Sequence, residues 1–270
     1  MDVILEKELK DSVYTLWLNE PSSRNALSSA MVAEFIREIE HVINTPQIRV
    51  LVIRGRGDGF CSGCDLAFLA NSGKKGFELE VLRESRALAS MLCQLNSIPK
   101  PVVSVVHGYA FGDAIGLMAA SDYILADPFA VMSFNEVRMG LMPAIILPFV
   151  AQRMKAGKMR ELMLSGRQFT GDDALDFGLV SEVAPSISIA ERLNDVLADL
   201  LEGAPLAQGT CKTLIAETRC NHSFHGMADH TSNVLADMCL GAEAREGIAA
   251  FIEKRNAAFG KHDKSVDYGF

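Results

Sequence analysis

Three short stretches carry the residues able to do chemistry. Glu136 stands in Phe134-Asn135-Glu136-Val137, one acid in an otherwise apolar segment. An acid desolvated by such neighbours has a raised pKa, which suits proton transfer. The same acid can also be held in an ion pair with Arg138, and the residues leave both readings open. The second stretch is Phe60-Cys61-Ser62-Gly63-Cys64-Asp65-Leu66. Gly63 frees the backbone, and a helix starts near Leu66. Backbone N–H groups near Cys64 can there receive an anion or a polarised carbonyl. A plain strand-to-helix turn has the same pattern. The third stretch is the turn Gly112-Asp113, a second source of N–H donors. Two such donors from separate turns can hold an enolate oxygen without any side chain having to reorganise.

Other chemistries find less support. Cys61-x-x-Cys64 has redox or zinc spacing, but no second Cys or His pair accompanies it, so no metal is expected. The 6 histidines show no spacing to Cys, Asp or Glu that suggests a triad or a metal site. No phosphate loop ending in Gly-Lys-Ser/Thr occurs. Gly108, Gly112 and Gly116 recur at the spacing of membrane-helix dimers. Asp113, Asp122 and Asp127 flank them, which marks a close-packed soluble helix instead.

The elements that must position these residues follow from pattern. Residues 3–5 and 13–18 read as an opening hairpin turning near Lys10-Asp11. Ser28 or Ser29 caps a helix running to about Ile43, with Met31, Phe35 and Ile39 on one face. Buried strands are expected over 49–53, 102–106 and 123–126. Residues 71–77 look mobile, and a long helix runs from about 78 to 95. His107 to Gly112 reads as a tight turn, and 113–121 as a buried helix. Residues 145–154 and 157–164 read as helical. Thr170-Gly171-Asp172-Asp173 opens a short helix by capping, Gly178 closes it, and a strand follows over 179–183. From 189 to 259 the pattern is helix, broken at 203–205 and 221–223. The last residues, HDKSVDYGF, look like a loose tail. Strands alternate with helices in the first two thirds, and helices fill the last third.

Composition narrows the class. Of 270 residues, 49% are hydrophobic and 22% charged, as in a globular chain with a large core. The net charge of -8 argues against nucleic acid or anionic membrane as partners. The N-terminus, MDVILEKELKD, has no basic region or long apolar run and does not read as a signal peptide. No apolar stretch reaches the roughly 18 residues that a membrane span needs. The 6 cysteines are therefore expected as reduced thiols of a cytoplasmic protein.

Together these pieces resemble the crotonase superfamily, the enoyl-CoA hydratase/isomerase family. The resemblance covers nearly the whole chain. It rests on Arg24-Asn25-Ala26-Leu27-Ser28, on Phe60 through Leu66, and on Lys100-Pro101-Val102 through Gly112. It continues through Ser121-Asp122-Tyr123, Asn135 through Pro143, Ala174 through Val180, and Glu246 through Arg255. It implies an α/β fold: a crotonase-like ββα spiral over residues 1–195, then a C-terminal α-helical trimerisation region over 196–270. It implies a homotrimer or hexamer and an acyl-CoA thioester substrate, coenzyme A being part of the substrate rather than a separate cofactor. An acyl-carrier-protein thioester is the alternative. The thioester oxygen is expected between the N–H of Cys64 and that of Asp113. Arg24, Ala26, Leu27, Ser62 and Leu66 match CoA-contacting segments, and Lys254 matches a lysine that in some members reaches a neighbour's CoA.

Two departures shape the expected chemistry. Common hydratases carry two glutamates facing the substrate. Glu136 matches the second, whereas Gly116 occupies the place of the first. Asp113 stands where the family usually has glycine. Its carboxylate either opposes the developing enolate charge or turns away to cap the helix. The region around Glu136 is similar to single-glutamate hydratases of branched or carboxylated enoyl-CoAs, such as methylglutaconyl-CoA hydratases. The expectation is hydration or dehydration of a 2-enoyl thioester with Glu136 as acid/base. The rivals are a Δ3,Δ2-enoyl-CoA isomerase and a non-catalytic acyl-CoA-binding protein.

Overall fold

The computed structural model describes residues 3–71, 74, 76–220 and 224–259. The expected tail and the expected break at 221–223 lie outside these, as does part of 71–77.

The hairpin forms from β1 (Leu5–Lys10) and β2 (Val13–Leu18), antiparallel, with Asp11 and Ser12 left-handed at the turn. β1 extends well beyond residues 3–5. Its Glu6-Lys7-Glu8 run hides it from a hydrophobic pattern, because it is an edge strand with mostly solvated side chains. α1 (Ser29–Asn44) is capped by Ser28, whose side chain accepts from the N–H of Met31. β3 (Val50–Gly55), the short α2 (Leu66–Leu69), the long α3 (Phe77–Ser97) and β4 (Val102–Val106) follow. Next come β5 (Tyr109–Phe111), α4 (Asp113–Ala119), β6 (Tyr123–Ala126), β7 (Val131–Ser133) and a 3-10 turn over Asn135–Met139. α5 (Leu147–Val150), α6 (Ala156–Ser165), α7 (Gly171–Asp176) and β8 (Glu182–Val183) lead into α8 (Ile189–Glu202), α9 (Pro205–Cys220), α10 (Phe224–Cys239) and α11 (Ala242–Glu253). Thr170 and Asp173 form the capping box of α7.

The main sheet runs β1-β2-β3-β4-β6-β8, parallel after the hairpin. A second, two-stranded parallel sheet pairs β5 with β7. Neither of its strands was expected. At three residues each they show no period, and the 107–112 turn contains β5. The strand expected over 179–183 is only Glu182–Val183, and the helix expected over 145–154 is only Leu147–Val150.

Alternation along the strands divides the core. Leu51 and Ile53 face α1 and α3, packing with Phe35, Ile39, Met91 and Leu95. Val50, Val52, Val103 and Val105 face the other way, onto Leu193, Val196, Leu197 and Leu201 of α8. Both faces are covered, as a parallel sheet requires. Residue 195, the expected end of the spiral core, falls inside α8.

Candidate active site

The site is built where two strand-to-helix turns meet. At the end of β5 the chain turns into α4 through Gly112, at φ 52° and ψ -120°, a conformation that glycine adopts without strain. A Cβ at Gly112 would sit 2.9 Å from Glu136 Oε1. The missing side chain is what lets the Glu136 carboxyl lie against the turn. Gly63, at φ 88°, makes the second close approach: its Cβ would sit 2.3 Å from the Phe111 carbonyl oxygen and 3.2 Å from the Asp113 nitrogen. The Cys61–Asp65 loop therefore rests directly on the start of α4. Phe111 N–H donates to the Cys61 carbonyl at 3.2 Å, and Leu27 N–H to the Gly63 carbonyl at 2.8 Å. Among the described residues, no carbonyl accepts from the N–H of Cys64 or of Asp113. Both donors stand at one cavity of about 590 Å³.

Glu136 reaches this cavity from the 3-10 turn after β7. It is 7% exposed, and among the described residues neither carboxylate oxygen has a partner in another residue. Burial pushes its carboxyl up to about 7, with the charge of Asp113 adding to the effect. The ion pair with Arg138 does not form; that guanidinium donates to the Ser165 carbonyl at 3.2 Å.

Asp113 is the first residue of α4 and also lines the cavity. The helix is headed by Gly112 with no side-chain cap, so the Asp113 carboxylate is not spent on its own helix. Burial pushes it up to about 6. Gly116 lies one turn further along. A Cβ there would fall 2.1 Å from Ile146 Cγ2, so Ile146 fills the place of a side chain. Residues three apart share a helix face. Asp113 thus brings to the cavity a carboxylate that position 116 has no room for.

The two thiols are poor nucleophiles. Cys61 is fully buried and its thiol is pushed up to about 12 by burial. Cys64 is pushed up to about 11 by burial, then by the charges of Asp113 and Glu136. Protonated thiols at these values neither attack nor ligate readily. Among the described residues, no group of three or more His, Cys, Asp and Glu is arranged to hold a metal ion.

The remaining sequence-predicted residues divide. Leu27 joins Cys64, Asp113 and Glu136 in the cavity wall. Ala26 is buried beside it. Ser62 is half-buried and donates its N–H to the Arg24 carbonyl at 3.0 Å. Arg24 is left-handed at φ 59°, with its guanidinium 4.3 Å from the Tyr109 ring centroid. Leu66 is exposed and outside the wall, and Lys254 is exposed at the end of α11. Sequence reasoning missed the contribution of α3, where Val81, Glu84, Ser85 and Leu88 form one stripe toward the cavity. The signal was their three- and four-residue spacing.

Fold and site define an α/β protein with an acid-bearing, largely apolar cavity beside two backbone N–H groups that, among the described residues, donate to no carbonyl. The family model described as enoyl-CoA hydratase/isomerase matches residues 8–262, and the chain belongs to that family. A putative enoyl-CoA hydratase of Thermus thermophilus is 29% identical over 93% of this chain and 98% of its own. The peroxisomal Δ(3,5)-Δ(2,4)-dienoyl-CoA isomerase of Arabidopsis thaliana is 28% identical over 96% of both chains. The solved structure of an enoyl-CoA hydratase/isomerase from Marinobacter aquaeolei superposes with a TM-score of 0.90 at 30% identity, covering 96% of this chain and 99% of that one. The expected crotonase-like α/β class is thus the observed one, and the chain is an enzyme of the hydratase/isomerase kind acting on acyl-CoA thioesters. Among the described residues no helix is long and apolar enough to cross a membrane.

Proposed function

We propose that the chain adds water to, or removes it from, a 2-enoyl-CoA. The supporting observation is that two carboxyls, Asp113 and Glu136, line one cavity and, among the described residues, neither is neutralised by a base. The thioester oxygen accepts from the N–H groups of Cys64 and Asp113, which stabilise the enolate. In the hydration direction Asp113 takes a proton from water as the water oxygen bonds Cβ. Glu136, protonated, returns a proton to Cα. The product is a 3-hydroxyacyl thioester, and the pair regains its starting state by exchanging protons with solvent. No cofactor enters these steps beyond the CoA of the substrate. Asp113 supplies the second acid that Gly116 lacks, which weighs against a non-catalytic binder.

Arg24, Ala26, Leu27, Ser62 and Leu66 are assigned to CoA, and Lys254 to the CoA of a neighbouring subunit. The exposed Leu235, Leu240, Ile248, Phe251 and Ile252 of the last helices supply an apolar surface for a trimer or hexamer. Light scattering at micromolar concentration is expected to give at least a trimer; a monomer removes this assignment.

Isomerisation is the second reading, favoured by the unpartnered Glu136, which alone can carry a proton between Cα and Cγ. Incubating 2-enoyl- and 3-enoyl-CoAs in H₂¹⁸O and weighing the products separates the two. Hydration places ¹⁸O in a 3-hydroxyacyl product, whereas double-bond migration without label sinks the hydratase reading.

A further inference from the structure

The cavity wall has a charge pattern that the chemistry of double-bond hydration does not require. Asp65, Glu84, Asp113 and Glu136 all line it. Among the described residues, the wall contains no Lys, Arg or His. Lys74, in the turn before α3, is not part of it. Two of the acids belong to the proposed chemistry, and Asp65 caps α2. Glu84 has neither role. It stands on α3 between Val81 and Leu88, with its side chain 22% exposed. Its ion pair is with its chain neighbour Arg83 at 3.4 Å, and that side chain is 76% exposed. A pair so solvated offsets little of the carboxylate's field inside the cavity. The Glu136 carboxyl, buried and without a partner, also has no counter-charge to share. Most of the other wall residues are apolar.

An acyl group ending in a carboxylate would lose water there, would meet no cation among the described wall residues, and would face like charge from α3. An aliphatic acyl group can lie against the apolar part of the wall, Val32, Val81, Leu88, Leu141 and Ile145, and brings no charge to oppose Glu84. We propose that the acyl group of the substrate is uncharged and aliphatic, and that Glu84 is the specificity residue that turns away carboxylated acyl thioesters. This rests on the acyl-CoA reading above. It departs from the carboxylated substrates that the similarity around Glu136 implied.

The test is direct binding by the full chain, using hexanoyl-CoA and the mono-CoA thioester of adipic acid. Neither carries a double bond, so the measurement does not depend on turnover. Hexanoyl-CoA is expected to bind at least tenfold more tightly at pH 8. Glu84→Gln is expected to narrow that ratio at least threefold, through tighter adipyl-CoA binding. Glu84→Lys should narrow it further or invert it, and thermal melts check that both variants are folded. Equal or tighter adipyl-CoA binding by the wild type overturns the proposal, as does an unchanged ratio in folded variants. If neither thioester binds, the acyl-CoA reading falls with it. If the ratio holds but no ¹⁸O enters a product, only the hydratase reading falls.

Discussion

Two turns in this chain look alike in sequence and behave differently. Each follows a glycine, each precedes a helix, and each carries an aspartate at the junction. In the first, Asp65 is the N-cap of α2, and its Oδ1 accepts from the N–H of Ala67 at 2.9 Å and of Phe68 at 3.3 Å. In the second, Gly112 holds the cap position and Asp113 is already the first helical residue. Its carboxylate makes no cap bond to its own helix and lines the cavity with Glu136. One residue of offset from the helix start decides whether an acid satisfies backbone or remains for chemistry. Among the described residues, the N–H of Cys64 and that of Asp113 donate to no carbonyl. The turns are therefore equivalent as donors and unequal as acids.

The sharpest test of that inequality lies at the acid Asp113 faces. Glu136→Gln is expected to lower kcat by about 10²–10⁴, with CoA-ester affinity within a few-fold, as for loss of a general acid. Near-normal kcat in steady-state assays would end its role. Asp113→Asn keeps the N–H and removes only the carboxylate, so kcat should fall by about 10². The acidic limb of the pH profile of kcat/KM should flatten with it. A change of less than threefold would make the two turns equivalent after all.

The pair also sets a pH dependence of stability. Folding raises Glu136 to about 7 and Asp113 to about 6, so the folded chain binds these protons more tightly than the unfolded one. Their contribution is complete below about pH 4 and is lost as pH rises through 6 and 7. For Glu136 the loss is on the order of 3 kcal/mol. Glu136→Gln should therefore gain stability relative to wild type between pH 5 and pH 8 in urea unfolding. Parallel curves would contradict the raised value.

The smallest effects belong to the first turn. Asp65→Ala should cost about 1 kcal/mol of stability through the lost cap, with far less loss of kcat than Asp113→Asn. Cys64→Ala should change both by little, since only its backbone N–H is assigned a function. Activity lost from a folded Cys64→Ala would bring the thiol into the mechanism.

The amino-acid sequence by itself determined the alternation of strands and helices, the buried runs at 49–53 and 102–106, the cap at Thr170, and a cap at Ser28 or Ser29. Those are local: a pattern of burial or one side chain on one N–H is written in a few neighbouring residues. It also marked Glu136, Cys64 and Asp113 as candidates. It left Glu136 between proton transfer and an ion pair, and Asp113 between cap and cavity. Tertiary structure decided both, because each turned on what a distant segment placed nearby. Ile146 closed the space at Gly116, Ser165 took Arg138 away from Glu136, and Gly63 brought one turn onto the other. The short β5–β7 sheet was illegible for the same reason. Three-residue strands carry no period of their own, and only their pairing defines them.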